Sequence, residues 1–365
     1  MTLSLYIARR FLAMFALVFG VFLGILMLID VIDQLRRHSD SAITTGQAFV
    51  LSALNVPESL YQILPLVMIL TAIALFLNLA RSSELVAVRA AGRSGLRFLL
   101  APVLVAGLLG ALAVAVFNPL VAATTKEYRL RSAAMGQDGG SILSISADGL
   151  WMRQGGDGGQ TVIQANRANP DGSELYDVSF LSFGPDDGLK DRLIAKKARL
   201  EPGAWVLDGV KRWPLTAANP EAVAENVVGQ LRIATDLTQN RLRDSFGKPN
   251  SVAFWKLPSY IAGLERAGFS ARSYQVWLQM EFAQPLLLIA MVLIAAGFTM
   301  RHARFGKTGS MVLLALLGGF FIFFLRNFAQ VLGENGQIPI VLAAWAPPLT
   351  AAFMALGLLL HLEDG

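Results

Sequence analysis

No cysteine occurs among the 365 residues, which excludes disulfides, thiolate metal sites and cysteine nucleophiles. An exported domain without disulfides is compatible with a bacterial periplasm. Histidine is almost as scarce: His38, His302 and His361 stand far apart, without metal-ligand spacing. Charged residues make up only 16% of the chain, against 54% hydrophobic residues. The mean hydropathy of +0.52 is well beyond that of an ordinary soluble domain. No serine lies within a nucleophile motif. Phe305-Gly306-Lys307-Thr308 resembles the end of a phosphate-binding loop, but Arg301 stands where that motif needs its first glycine. The chain is therefore expected to catalyse nothing alone and to bind no cofactor or metal. Energy for any work it does must come from a partner or an ion gradient.

What the chain has is a pattern of long apolar runs, three before a polar middle and three after it. They cover residues 10–32, 60–79, 99–121, 276–300, 310–328 and 338–361. Each is about the twenty residues a helix needs to cross a hydrocarbon core. The expected fold class is thus a membrane α-helical protein with six transmembrane helices, arranged 3+3, and one polar domain inserted at the midpoint. The net charge of +5 is a matter of topology and not of nucleic acid. Arg9 and Arg10 precede the first run, Arg81, Arg89, Arg93 and Arg97 follow the second, and Arg301, Arg304 and Lys307 follow the fourth. Such residues collect on the cytoplasmic side, which places both termini inside and the polar domain outside. Ala8-Arg9-Arg10-Phe11-Leu12 is superficially like a twin-arginine signal. The run after it is too long and ends in Asp30, Asp33, Arg36 and Arg37 instead of a cleavage site, so it is read as a retained helix.

The polar middle reads as β structure. Segments 141–146, 149–153, 160–165, 175–183, 189–200, 204–213 and 226–234 are separated by Gly, Pro, Asn and Asp clusters, with turns at 155–159, 169–172 and 184–188. Leu175, Val178, Phe180 and Phe183 approximate one apolar strand face, and no 3.6-residue stripe persists. Short strands at near-regular spacing predict a sandwich, jelly-roll or open barrel. Residues 250–272, with Trp255, Leu257, Tyr260, Ile261 and Leu264, read as an amphipathic helix returning to the membrane. The expected division is 1–123 for the first three spans, 124–250 for the β domain, 251–275 for the return and 276–365 for the last three spans.

Between the second and third runs, a serine cap and a terminal glycine bound a short helix over about residues 82–92. Leu85, Val88 and Gly92 follow one face, with Glu84 and Arg89 beside it. Two readings are open: a helix that docks into a groove on a partner, or a loop whose apolar face rests on lipid.

Here the residues resemble a known family, the lipopolysaccharide export permeases of the LptF/LptG type. Ser83-Glu84-Leu85-Val86 followed by Ala91-Gly92 is similar to that family's coupling helix, and the 3+3 layout around a β domain covers the whole chain. Asp33-Gln34-Leu35-Arg36-Arg37, Tyr128-Arg129 and Gly139-Gly140-Ser141 with Gly149-Leu150-Trp151 favour the LptG half. The resemblance implies an inner-membrane half-transporter with a periplasmic β-jelly-roll. Its partners would be a paralogous LptF-like half, two copies of a cytoplasmic LptB-like ATPase that hold ATP and Mg, a single-span LptC-like protein, an LptA-like bridge, and lipopolysaccharide. It implies that Glu84 contacts the ATPase, that Leu85 and Val88 fill its groove, and that Ala91 and Gly92 end the helix.

By the same resemblance, Arg36, Arg37 and Arg129 match basic positions that meet the phosphorylated head of the lipid. For Arg36 and Arg37 the alternative is snorkelling at the interface. Asp30 departs from the family pattern, as does Arg326 inside the fifth run. A charge at mid-membrane costs roughly 2.5–3.5 kcal/mol on insertion scales and usually has a partner. Asp30 and Arg326 are therefore a candidate ion pair, within the chain or across a gate to the other half; alternatively Arg326 binds lipid phosphate. Three rivals stay in view. A sensor would normally append an output domain, and only a few residues follow the sixth run. A secondary transporter would need midplane ion-binding groups and repeated broken helices. A lipoprotein-release permease would generally not place one central domain between two triplets.

Overall fold

In the computed structural model the described residues are 2–37, 44–82, 95–134, 142–146, 149–156, 159–169, 172–184, 188–217, 219–235, 237–238, 248–300 and 308–363. They form two compact units. The first comprises residues 1–129, 250–255 and 272–365, and the second 130–249 and 256–271.

The first unit is helical. Its elements are α1 (Thr2–Arg37), α2 (Thr45–Gln62), α3 (Leu64–Arg81), α4 (Gly95–Leu112), a π-helical turn (Ala113–Phe117), α5 (Asn118–Ala134, whose last residues fall in the second unit), α7 (Arg272–Thr299), α8 (Thr308–Glu334) and α9 (Ile340–Glu363). Among the described residues, five helical stretches are long and apolar enough to cross a membrane, and a sixth is obtained if α2 and α3 count as one broken span bent by 66°. The second apolar run thus belongs to a longer helical pair than the reading of 60–79. A capping box at Thr44 and Gln47 starts α2 one turn before its first buried residues. The pair breaks at Ile63, two residues before Pro65, because proline has no N–H for the carbonyl of Tyr61 and its ring crowds that carbonyl.

Helix α7 is the hub. In its most apolar stretch 72% of the residues are buried inside the structure, against none in that of α1 and 17% in that of α8. Small residues let the neighbours close on it. A Cβ on Gly107 would meet Ile289 at 3.3 Å, and one on Gly318 would meet Ile294 at 3.3 Å. At the start of α7, Arg272 donates from Nε to the carbonyl of Gly333 (2.6 Å) and from Nη2 to that of Ile338 (2.8 Å). The Gly333 carbonyl in the last turn of α8 and the Ile338 carbonyl just before α9 are thereby satisfied by one cation. The outer faces stay apolar: Leu17, Val21 and Leu28 on α1 and Phe321, Phe324 and Phe328 on α8 are exposed, as lipid or a second membrane protein requires.

The second unit is an eight-stranded antiparallel sheet: β1 (Ile142–Ser146), β2 (Gly149–Gly156), β3 (Gly159–Ala168), β4 (Glu174–Phe183), β5 (Leu189–Glu201), β6 (Ala204–Pro214), β7 (Glu225–Asn226) and β8 (Gln230–Ala234). Strands pair in chain order from β1 to β7, and β8 also pairs β6. The single strand expected over 226–234 is two short ones, parted at Gly229, whose φ of +94° leaves the extended region. The expected return helix is two 3₁₀ turns (Pro249–Ser251, Phe254–Lys256) followed by a ten-residue helix, α6 (Leu257–Arg266).

A crease runs across the strands of this sheet. Ala165, Val178, Ala195 and Val210 form one buried row, each opposite the next. Ala168, Leu175, Ala198 and Leu207 form a second. Three residues separate the rows along each strand, an odd offset that regular alternation would send to the opposite face. Between them the pairing is interrupted at Asp177 (φ 53°) and Gly209 (φ 65°), which absorb the change of side.

Helix α6 is tied to the sheet through its C-terminus. Gly268 (φ 86°) follows its last turn, with Phe269 N–H donating back to the Leu264 carbonyl at 3.0 Å, while Ala168 N–H donates to the Ala267 carbonyl at 2.8 Å. A Cβ on Gly268 would collide with the carbonyl oxygen of Ala168. Gly268→Ala should therefore destabilise this unit by on the order of 2–3 kcal/mol. Gly263→Ala in the same helix, where a Cβ meets nothing within 4 Å, should be neutral or slightly stabilising. Thermal melts of the two variants beside the parent protein check this.

Candidate functional site

Two polar constellations lie within the helical unit. The first is a side cavity between α1 and α2 of about 420 Å³, lined by Leu26, Ile29, Ile32 and Val56 on its apolar side and by Asp30, Asp33, Arg36 and Ser59 on its polar side. α1 presents Leu26, Ile29 and Asp33 at three- and four-residue spacing, so one helix face supplies both characters. Asn55 donates to Asp30 Oδ1 at 2.7 Å, and Gln34 donates to the Tyr128 hydroxyl at 3.0 Å. Arg37 is bonded to Asp33 at 2.7 Å, one turn back on α1. A cavity with one greasy wall and one charged wall suits an amphiphile: a chain on one side, an ionic head on the other.

The second constellation is buried at the centre of the bundle. Glu281 on α7 is only 2% exposed and accepts a hydrogen bond from the Tyr61 hydroxyl at the end of α2. The Asn118 side chain at the start of α5 also bonds Glu281. Arg326 on α8, 9% exposed, is the neighbouring cation and donates to Gln284 Oε1 at 3.4 Å. Nearby, Glu58 accepts from Asn250 at 2.7 Å and from Thr125 at 3.2 Å.

The predicted residues fall as follows. Arg36 lines the side cavity, Arg37 bridges to Asp33, and Arg129 is half-buried on α5 beside Tyr128. Asp30 and Arg326 have different partners within this chain: Asp30 bonds Asn55, whereas Arg326 lies with Gln284 and Glu281. Glu84, Leu85, Val88, Ala91 and Gly92 lie outside the described residues. Sequence reasoning missed Tyr61, Asn118, Glu281 and Gln284. The signal for one of them was present, since Glu281 is an ionisable residue inside an apolar run, and such a residue marks a functional site by default. No group of three or more His, Asp or Glu able to hold a metal occurs among the described residues.

A multi-pass helical bundle with a cavity open to an amphiphile, joined to a separate sheet unit outside the apolar region, is the build of an inner-membrane permease. The comparison with known proteins gives the particular kind. The model of the lipopolysaccharide export system permease LptF/LptG family matches residues 5–361, and the chain belongs to that family. It is 26% identical over 372 residues to the lipopolysaccharide export system permease protein LptG of Haemophilus influenzae, covering 100% of this chain and 99% of that protein. It is also 26% identical over 336 residues to the LptG protein of Escherichia coli, covering 92% and 91% of the two. The function is that of a permease in lipopolysaccharide export.

Proposed function

We propose that this chain is the LptG-type half of an ATP-driven exporter that draws lipopolysaccharide from the outer leaflet of the inner membrane. The family match across nearly the full length carries this reading, and both relatives described above bear the LptG name. In it, α2 and α3 form one broken span, giving six spans in two triplets. Both termini are cytoplasmic, as the arginines at 9, 10, 93, 97, 301 and 304 favour, and the sheet unit is periplasmic. The sheet closes into a jelly-roll that hands lipid to an LptA-like bridge through strand addition. The one-sided pairing of β1 among the described strands supports this.

The chain pairs with an LptF-like half and an LptC-like single-span protein, above two LptB-like ATPases that bind ATP and Mg. Glu84, Leu85, Val88, Ala91 and Gly92 form the coupling helix seated in one ATPase. Arg36, Arg37 and Arg129 meet the phosphorylated head, where charge-assisted bonds are strong, and the apolar wall of the α1–α2 cavity takes acyl chain. Each methylene buried is worth about 0.8 kcal/mol, so an apolar path from leaflet to bridge is a physical necessity for such a lipid.

The test is a gentle-detergent pulldown of the tagged chain, alongside Glu84→Ala. The parent should bring down a six-span partner and a small ATPase, and the variant should retain the six-span partner while binding roughly tenfold less ATPase. Recovery of the parent without any ATPase would refute the coupled half-transporter.

A further inference from the structure

Regular α-helix is interrupted in the helical unit by two breaks of different kind, a sharp bend and a π-turn within an otherwise continuous helix, and one buried carboxylate is bonded at both. The first is the 66° bend at Ile63, immediately after Tyr61 and Gln62 end α2. The second is the π-helical turn Ala113–Phe117, followed by Asn118 and Pro119. Tyr61 and Asn118 both hydrogen-bond Glu281 on the hub helix. At 2% exposure the carboxylate is stable only with such donors and a nearby cation, and Arg326 supplies the positive charge.

The second break is secured from its other side as well. Pro119 has no N–H for the carbonyl four residues back, that of Ala115. That carbonyl accepts instead from the indole N–H of Trp255 at 3.1 Å, and Phe254 N–H donates to Asn118 Oδ1 at 2.8 Å. The Phe254 ring packs edge-on against Phe282, 5.2 Å between centroids, next to Glu281 in the sequence. A freed carbonyl in a membrane helix needs such a substitute donor. Asn118 therefore has one bond to the 254–255 segment and another to Glu281, and Glu281 continues to the bend in the broken span.

We infer that Glu281 is a positioning residue for transport, fixing the bend of the broken span relative to the π-turn so that the two breaks move together. Each break alone is a point of easy bending, and a permease has to convert movement on its cytoplasmic side into a change around its cavity. The α2 helix that carries Tyr61 also carries Val56 and Ser59 of the cavity wall. Loss of the link would release the Tyr61 end of α2 from the hub helix and leave the cavity wall held through Asn55 and Glu58 farther back on α2. The inference rests on the permease function and specifies which buried group transmits it.

This chain has no native cysteine, so a cysteine introduced into it is its sole labelling position or pair, with cysteines of the other subunits removed beforehand. Spin labels at Phe49→Cys on α2 and Leu313→Cys on α8, both exposed, report the position of α2 in the complete complex with its partner half and ATPase. The variants are Tyr61→Phe, which removes one hydroxyl, Glu281→Leu, and the pair Glu281→Gln with Arg326→Gln. In Tyr61→Phe and Glu281→Leu the distance distribution should broaden. Lipid release to an acceptor should fall about tenfold, with ATP hydrolysis changed less than about twofold. The double glutamine variant keeps an acceptor oxygen and removes both charges, and should return release to within about threefold of the parent. Parent-like distances and release in Tyr61→Phe would overturn the inference, as would a double variant no better than Glu281→Leu. A parent complex without lipid release would count against the permease reading itself. Should Glu281→Leu not assemble, Tyr61→Phe, which leaves the packing intact, decides.

Discussion

Trp205→Ala is expected to destabilise the sheet unit by about 3–5 kcal/mol, the usual cost of truncating a large buried aromatic. Trp205 is fully buried on β6, and Phe180 of β4 meets it edge-on with ring centroids 6.3 Å apart. Its backbone pairs Leu200 on one side and Ile233 on the other, so the ring is fixed by three strands and its space cannot be refilled by a turn of one loop. Among the described residues its indole N–H meets no acceptor. The buried donor is a cost that phenylalanine would not carry. Trp205→Phe should therefore lose less than about 1.5 kcal/mol despite its smaller ring. Urea unfolding followed by the remaining tryptophans separates the two variants. Equal losses would mean that the indole N–H has a partner and that volume alone does not set the effect.

The second large effect is expected where one helix comes close to the backbone of another in the helical unit. A Cβ on Gly110 of α4 would lie 2.5 Å from the Cα of Pro285 on α7. The obstacle is backbone, so no side chain can swing aside. Gly110→Val should force the helices apart and lower stability by at least about 3 kcal/mol, at the upper end of what overpacking costs. Hydrophobic burial cannot restore the contact, because lipid solvates separated helices as well as it does paired ones. Pro285 is four residues after Glu281, and Asn118 is two turns beyond Gly110 along the same nearly continuous helix. Even protein that inserts normally should thus lose the hydrogen bonds at Glu281 and with them lipid release. Thermal stability in detergent and release from liposomes measure the two losses separately. In contrast, Gly20→Ala on α1, where a Cβ would meet nothing within 4 Å, should change stability by less than about 0.5 kcal/mol.

Much of this architecture is legible in the amino-acid order, for a simple reason: a span must be about twenty apolar residues long whatever it packs against. The run at 276–300 is α7 to within a few residues, and that at 338–361 is α9. The strands were equally readable, since turn residues stop a strand locally; 204–213 became Ala204–Pro214. Most of α2, residues 45–59, escaped because its face carries Ser52, Asn55 and Glu58 among the apolar residues. The run looks short there, even though the cap at Thr44 and Gln47 was in plain view. The crease was half visible: the odd step from Leu175 to Val178 breaks alternation, but nothing in the order says that the sheet bends to keep both inside. The central cluster was hidden for a different reason. Tyr61, Asn118 and Glu281 are far apart in the chain, and only the packing of α2 and α5 on α7 brings them together.

The crease also bears on how the sheet unit comes apart. Strands β3 to β6 each run through both buried rows, so neither row belongs to a separate set of strands. A sandwich of two independent sheets can lose one layer while the other holds, but here the same four backbones would have to be broken to expose either. Partial opening confined to one end gains little chain entropy, because the other end still fixes every strand. These four strands accordingly open as a single cooperative block. That protects against the half-open forms through which exposed strands aggregate.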